Sequence, residues 1–166
     1  MSIEMKPSLY LETTIPSYLV ARMSNDIRIA GKQAVTHDFW ELERYKYDLY
    51  VSYYVIGECG KGDSKVAKKR LSLIDGIQIL AETPDVEPLA NTFMLLLSIP
   101  QRSRVDALHL AICCIYEIDI LLTWNCSHLS YNNIVRMKKH NDAHGLSTPQ
   151  MLTPDNLTYL SMEVDF

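Results

Sequence analysis

Three acids and an amide stand where an apolar run of this chain gives way to a loop or where a helix begins: Glu12, Glu58, Asp106 and Asn125. Glu12 closes the run Leu9-Tyr10-Leu11, and Glu58 sits in the helical stretch that follows Val51-Ser52. Asp106 precedes the apolar segment Ala107 to Ile115, and Asn125 comes just after Ile120-Leu121-Leu122-Thr123-Trp124. A carboxylate closing a buried strand needs a partner or a cation. Carboxylates gathered in one place repel and cannot all ionise unless a cation lies among them, and hard oxygen ligands with few competing nitrogens suit Mg2+ or Mn2+.

Such side chains can meet only if the elements carrying them converge. The segment Arg102 to Leu129 organises the chain: Ser103 can cap a helix whose inward positions are Ala107, Ala111, Cys114, Ile115 and Ile118, and Ile120–Thr123 is too short for anything but a core strand. Upstream, strand one ends at Glu12, and Thr14 with Pro16 opens a helix. The pattern predicts one long amphipathic helix from Asp26 to Tyr47, with Ala30, Ala34, Phe39, Leu42 and Tyr45 inward. Strand two is Asp48–Ser52, with Ser52 capping the helix that carries Val55, Ile56 and Glu58. A helix over Asp63–Ile74 with Lys65, Lys68, Lys69 and Arg70 on its wet face, strand three at Gly76–Leu80, and a helix from Pro84 to Leu97 follow. A helix from Tyr131 stopped by Gly145, a strand at Met151-Leu152 and a short helix from Pro154-Asp155 complete the chain. Strands alternating with longer helices predict an α/β sandwich with a mostly parallel sheet. If strands one and four are neighbours where the winding reverses, their carboxyl ends form a crevice in which the acids converge.

Composition narrows the function classes. With 166 residues and a hydrophobic fraction of 48%, one globular domain with a sizeable core is expected. A net charge of -4 argues against holding nucleic acid on a broad basic face, but not against an enzyme that cuts it, because a bound cation sets the local potential. No apolar run spans a membrane, and the first residues show no leader pattern, so a cytoplasmic location is expected. The four cysteines, none in a C-x-x-C pair, predict reduced and mostly buried thiols. His140 and His144 share a helix face, but Asn141 replaces the glutamate of a zinc-protease motif. The run Gly57 to Gly62 lacks the spacing of a phosphate loop.

Four pieces of the sequence together resemble the PIN domain family and, within it, the VapC-like toxin ribonucleases. They are Leu9-Tyr10-Leu11-Glu12-Thr13-Thr14, Val51-Ser52 through Glu58, Arg102 through Asp106-Ala107-Leu108-His109-Leu110-Ala111, and Asp119 through Trp124-Asn125. The likeness runs from Tyr10 to Leu157 and implies a single PIN-like domain over residues 1–166. It implies a three-layer, Rossmann-like sheet, a site in which Glu12, Glu58 and Asp106 hold Mg2+ or Mn2+ while Asn125 orients water or a ligand, and hydrolysis of RNA phosphodiester bonds. Taken alone, Asp106 reads as the end of a Ser103-x-x-Asp106 capping box, Glu58 as a solvated helix residue and Asn125 as a turn former; the resemblance makes them site residues.

The sequence departs from the family at two places. The usual first aspartate is Glu12, and where a fourth aspartate often stands there is Asn125, with His128 in place of a further acid. Arg102, Arg104 and His128 are expected at the substrate, and Tyr18 and Trp124 are the aromatics placed to stack on a base. His109, amid apolar neighbours, is expected to be a hydrogen-bonded core residue. A toxin of this type implies an antitoxin protein partner and a homodimer. The alternative set by the departures is a PIN-like module that binds RNA or a protein without cleaving.

Overall fold

Five short apolar runs pair side by side into one sheet in which every neighbouring pair is parallel: β1 (Ser8–Leu11), β2 (Asp48–Ser52), β3 (Gln78–Leu80), β4 (Ile120–Leu122) and β5 (Gln150–Leu152), in the order β3-β2-β1-β4-β5. The structure, a computed structural model, describes residues 5–157; the ends of the expected 1–166 domain lie outside the described residues. From β1 the chain winds out to β2 and β3, returns to β4 on the other flank of β1, and ends at β5. The winding therefore reverses between β1 and β4, which meets the condition under which the sequence lets the acids converge, and the crevice lies beyond Leu11 and Leu122.

Right-handed crossovers put the helices of the two halves on opposite faces of the sheet. One set comprises α1 (Thr14–Val20), which packs on α2 (Ile27–Asp38) and on α4 (Ser64–Ile74). The other comprises α5 (Val86–Leu96), which packs on α6 (Arg104–Ile115) and on α7 (Tyr131–Ala143). The short α3 (Tyr53–Cys59) touches both α4 and α6. Because both sheet faces are covered, the central strands are apolar throughout: Leu9, Tyr10 and Leu11 of β1 and Leu122 of β4 are fully buried. Helix α6 is buried from Ala107 to Cys114, and His109 is the one ionisable nitrogen base in that run.

Local chemistry fixes the register of the two central strands. Ser8 donates through its N–H and its hydroxyl to Asp119 Oδ2 (2.8 and 2.9 Å), and the Asp119 N–H donates back to Ser8 Oγ (2.8 Å). A one-residue slip would break all three bonds and turn every side chain of β1 to the other face. Helix α6 ends on Glu117 in the left-handed region (φ 54°), with Ile118 N–H bonded to Cys113 O and Glu117 N–H to Cys114 O, a Schellman stop that buries Ile118. Ile118 thus belongs to the cap rather than to the helix face where the periodicity placed it. Gly145 (φ 67°) stops α7, as the sequence implies.

The structure corrects several boundaries. The stretch from Asp26 to Tyr47 is not one helix: α2 ends at Asp38 and passes through a π turn (Phe39–Glu43) and a 3-10 turn (Arg44–Lys46). Phe39 and Trp40 are adjacent and both buried, which a regular helix with 100° between neighbours does not allow on a narrow stripe, and the wider turn accommodates both. Ala34, Leu42 and Tyr45, expected inward, face solvent, while Gln33 and Thr36 take the inner face. Gln33 is satisfied there by donating to Arg22 O (2.9 Å) and accepting from Ser24 N–H (2.8 Å). The N-cap position of α1 is Thr13 rather than Thr14, and neither Ser52 nor Ser103 makes a side-chain cap bond.

Leu122 lies at the centre of the sheet with no exposure, so its truncation leaves a hole that β1 and α6 cannot close without moving. The Leu122→Ala variant is expected to lose about 2–5 kcal/mol of unfolding free energy, read from urea denaturation, with the m-value unchanged.

Candidate metal centre

Glu12 is the first residue past β1, and its backbone N–H still bonds to Leu122 O of β4 (3.1 Å), which holds the side chain at the mouth of the crevice. It is only 7% exposed. Three donors converge on its Oε2: the Thr14 N–H (3.0 Å), the Thr14 hydroxyl (2.5 Å) and the Thr123 hydroxyl (2.7 Å). Each threonine oxygen also accepts from the loop beyond β4, Thr14 from Trp124 N–H (2.9 Å) and Thr123 from Asn125 N–H (2.9 Å). Among the described residues no hydrogen bond reaches Oε1, and Glu12 lines a small cavity together with Asp106, His109, Thr123, Asn125 and His128.

Glu58 arrives from α3 on the β2 side. Its Oε1 accepts from the Thr13 hydroxyl (2.6 Å) and pairs with His109 Nε2 (2.7 Å), while its Oε2 takes no described bond. Burial opposes ionisation here, but the hydrogen bonds from His109 and Thr13, aided by the charges of His109 and Lys61, hold the carboxyl below its ordinary range. One ligand atom from each of Glu12, Glu58 and His109 lies within 4.8 Å of the other two. Both acids are thus held by one oxygen and keep the other uncommitted.

Asp106 stands in the first turn of α6, half-buried. Its Oδ1 accepts from Asn125 Nδ2 (3.2 Å), and His128 Nε2 lies 3.6 Å from its Oδ2. Burial raises its pKa, and the Glu58 charge adds to the rise, against the pull of His109, His128 and the Asn125 bond. Asp106 shares the cavity but not the tight group, in which His109 takes the third place. Asn125 is fixed in orientation because its Oδ1 accepts from the Ser127 N–H and hydroxyl (3.3 and 2.7 Å), which leaves its amide to face Asp106.

Of the residues expected at a substrate, only His128 lines the cavity. Arg104 is drawn away to α5, where it pairs with Glu87 and donates to Asn91 Oδ1 (2.6 Å). Arg102 is exposed on a 3-10 turn before α6. Trp124 donates through Nε1 to Thr36 Oγ1 (2.8 Å), with the Tyr18 ring 5.8 Å away and Lys32 Nζ 5.3 Å from its ring centre. His140 and His144 stack on one another (4.2 Å) on α7. In the sequence Thr14 reads only as a helix opener and none of these threonines is assigned to the site; the signal for them is a hydroxyl residue beside each strand end, at Thr13, Thr14 and Thr123.

The donor set fits a divalent cation. Two carboxylates with one free oxygen each, beside a third acid whose own burial disfavours its charge, form a site that hydroxyls and an imidazole tether by one oxygen of each carboxylate. No Lys or Arg ion pair with Glu12, Glu58 or Asp106 is found among the described residues.

No family model matches the sequence, and no curated protein matches it. Solved structures do share its fold. A chain of VapBC2 from Rickettsia felis, in a complex bound to a DNA fragment from their promoter, superposes with a TM-score of 0.56 at 12% identity, covering 87% of this chain and 97% of that one. VapC20 of Mycobacterium tuberculosis, a sarcin-ricin loop cleaving toxin, superposes with a TM-score of 0.56 at 16% identity, covering 74% of this chain and 93% of that one.

The clamp on Glu12 makes a stability prediction that needs no ligand. Thr123 is buried, and exchanging it for valine keeps the shape while leaving the Asn125 N–H and Glu12 Oε2 each short of a partner. The Thr123→Val variant is expected to unfold at lower urea, with a loss of about 1–3 kcal/mol.

Proposed function

From the premise that this chain has the PIN-domain, VapC-like fold, we propose that it is a metal-dependent endoribonuclease, the toxin of a toxin–antitoxin pair. The observation that carries this reading is the half-tethered pair Glu12 and Glu58, brought from two different strand ends to the reversal point with Asp106 beside them. A Mg2+ or Mn2+ ion supplies charge to a phosphodiester oxygen and acidifies a water. Glu12 and Glu58 offer their uncommitted oxygens to it, and Asp106 completes the acidic wall. Asn125, locked by Ser127, orients a water or a phosphate oxygen by its amide, and His128 stands at the rim where a product oxygen could take a proton. Water rather than a neighbouring sugar hydroxyl attacks in such a site, so the chemistry admits DNA too; RNA is favoured by the likeness to VapC20, itself a toxin that cleaves the sarcin-ricin loop.

In this reading the chain is one PIN-like domain acting in the cytoplasm on RNA, partnered by an antitoxin and pairing with a second copy. Among the described residues no helix is long and apolar enough to cross a membrane. A second reading, a module that binds RNA or a protein without cutting, is favoured by one observation: both Asp106 oxygens are engaged or approached by side chains, Asn125 and His128, that replace acids in the family pattern.

Cleavage of a labelled structured RNA in Mn2+ separates the two. The wild-type chain is expected to cut and to stop on chelation, and Asp106→Asn to cut about 100-fold more slowly. Equal rates in both proteins would reveal a contaminating nuclease, and retention of RNA without any cutting would establish the second reading. Asn125→Asp exchanges the donor facing Asp106 for a fourth carboxylate and is expected to tighten Mn2+ binding about 10-fold or more in calorimetric titration.

A further inference from the structure

A chain of buried polar contacts runs from the middle of the sheet to the acidic site. Tyr10 of β1 is fully buried, and its hydroxyl lies 2.7 Å from Ser52 Oγ on β2 and 2.6 Å from His109 Nδ1 on α6. His109, 2% exposed, meets Glu58 Oε1 through its other nitrogen at 2.7 Å. Its ring is packed against the Tyr10 ring, with centroids 5.6 Å apart. Both ring nitrogens are therefore occupied by the protein.

One donor can be assigned from the end of the chain. An ionised carboxylate only accepts, so His109 Nε2 carries the proton it gives to Glu58. Nδ1 and the Tyr10 hydroxyl share one hydrogen, as do the Tyr10 and Ser52 hydroxyls. Every polar atom of the path has a partner, and a buried imidazole with both nitrogens bonded is held in one orientation.

We propose that His109 is a positioning residue: backed by Tyr10 and Ser52, it holds Glu58 by one oxygen and leaves the other uncommitted, without itself binding the ion. The inference rests on the metal-dependent reading of this site. It gives a buried histidine within 4.8 Å of two acids a role that does not need its lone pair. It also gives a partner to the Ser52 hydroxyl, which makes no cap bond to α3 and meets Tyr10 instead.

The test combines three variants of the full chain with Mn2+ titration and nitrogen NMR of the histidine rings, with melting curves to identify folded proteins. Wild-type His109 is expected to carry a proton on Nε2. His109→Leu is expected to weaken Mn2+ binding about 10–100-fold, the usual loss when an outer partner of a metal ligand is removed. His109→Gln, which keeps one donor and one acceptor, is expected to recover most of the affinity. Tyr10→Phe, which deletes only a hydroxyl, is expected to weaken Mn2+ binding in the same direction and to shift the ring nitrogen signals of His109. Wild-type affinity in folded His109→Leu or in Tyr10→Phe overturns the inference. So does failure of His109→Gln to recover affinity, or nitrogen hyperfine coupling from an imidazole bound to Mn2+ in the wild-type protein. If the wild-type chain binds no Mn2+ at all, the functional reading falls and the inference with it, an outcome distinct from each of the others.

Discussion

The parallel pairing of β1 with β4 is the contact on which the site depends. It places the residue after Leu11 beside the residue after Leu122, so that Glu12 and Thr123 leave the sheet side by side and bond to each other across a sequence separation of 111 residues. The pairing is secured at its opposite end by the Ser8–Asp119 exchange of three hydrogen bonds, and in the middle by side chains that have no exposure at all. Since a strand alternates its faces with every residue, the register that buries Leu9 and Leu11 also settles that Tyr10 points to the face where α6 carries His109. Core packing and site geometry are thus one constraint.

Electrostatics then explains how the acids are tolerated. Bringing carboxylates together in a partly buried crevice is unfavourable, and the usual remedy is a salt bridge to arginine or lysine. Here the available arginine, Arg104, is spent on Glu87 and Asn91 at the surface, and the acids are tied instead by threonine hydroxyls, an asparagine amide and an imidazole. Hydrogen-bond donors hold each carboxylate in place by one oxygen. The two neighbours shift in opposite directions: burial raises Asp106, while at Glu58 burial is outweighed by the hydrogen bonds from His109 and Thr13 and by the charges of His109 and Lys61, which hold it below its ordinary range.

Much of this was legible in the sequence, and what was not has identifiable causes. The strands and their alternation with helices follow from apolar runs and from the need to cover both faces of a parallel sheet, whereas the adjacency of strands one and four enters the sequence reading only as a condition. The long helix after Asp26 was misjudged because periodicity assigns faces on an ideal helix, whereas the buried Phe39-Trp40 pair forces a wider turn and sends Leu42 and Tyr45 outward. Ser103 and Asp106 match a capping box in spacing, yet the 3-10 turn before α6 puts Ser103 out of the conformation a cap requires. His109 was legible as a bonded core histidine. Its partners were not, because Tyr10, Ser52 and Glu58 lie on three other parts of the chain and no local pattern links them.

Glu12 stands where the resemblance read from the sequence leads one to expect an aspartate. An extra methylene gives the carboxylate more reach and more freedom, and freedom at a metal ligand loosens the site. The three bonds to Oε2 remove that freedom: two come from Thr14, only two residues on, and the third from Thr123 across the β1–β4 pairing, so the longer side chain is bent back and fixed at both loops. A shorter aspartate at the same backbone position would fall about one carbon–carbon bond short of Thr123, and the Thr123 hydroxyl would lose its acceptor. Glu12 and Thr123 therefore make sense as a pair. The departure at Asn125 follows the same logic at the neighbouring acid, since an amide turned by Ser127 presents a donor to Asp106 where a carboxylate would present another negative oxygen. The change at Asn125 reduces repulsion within the crevice before any ion arrives, at the cost of one formal ligand, while Glu12 keeps its charge and gains a tether.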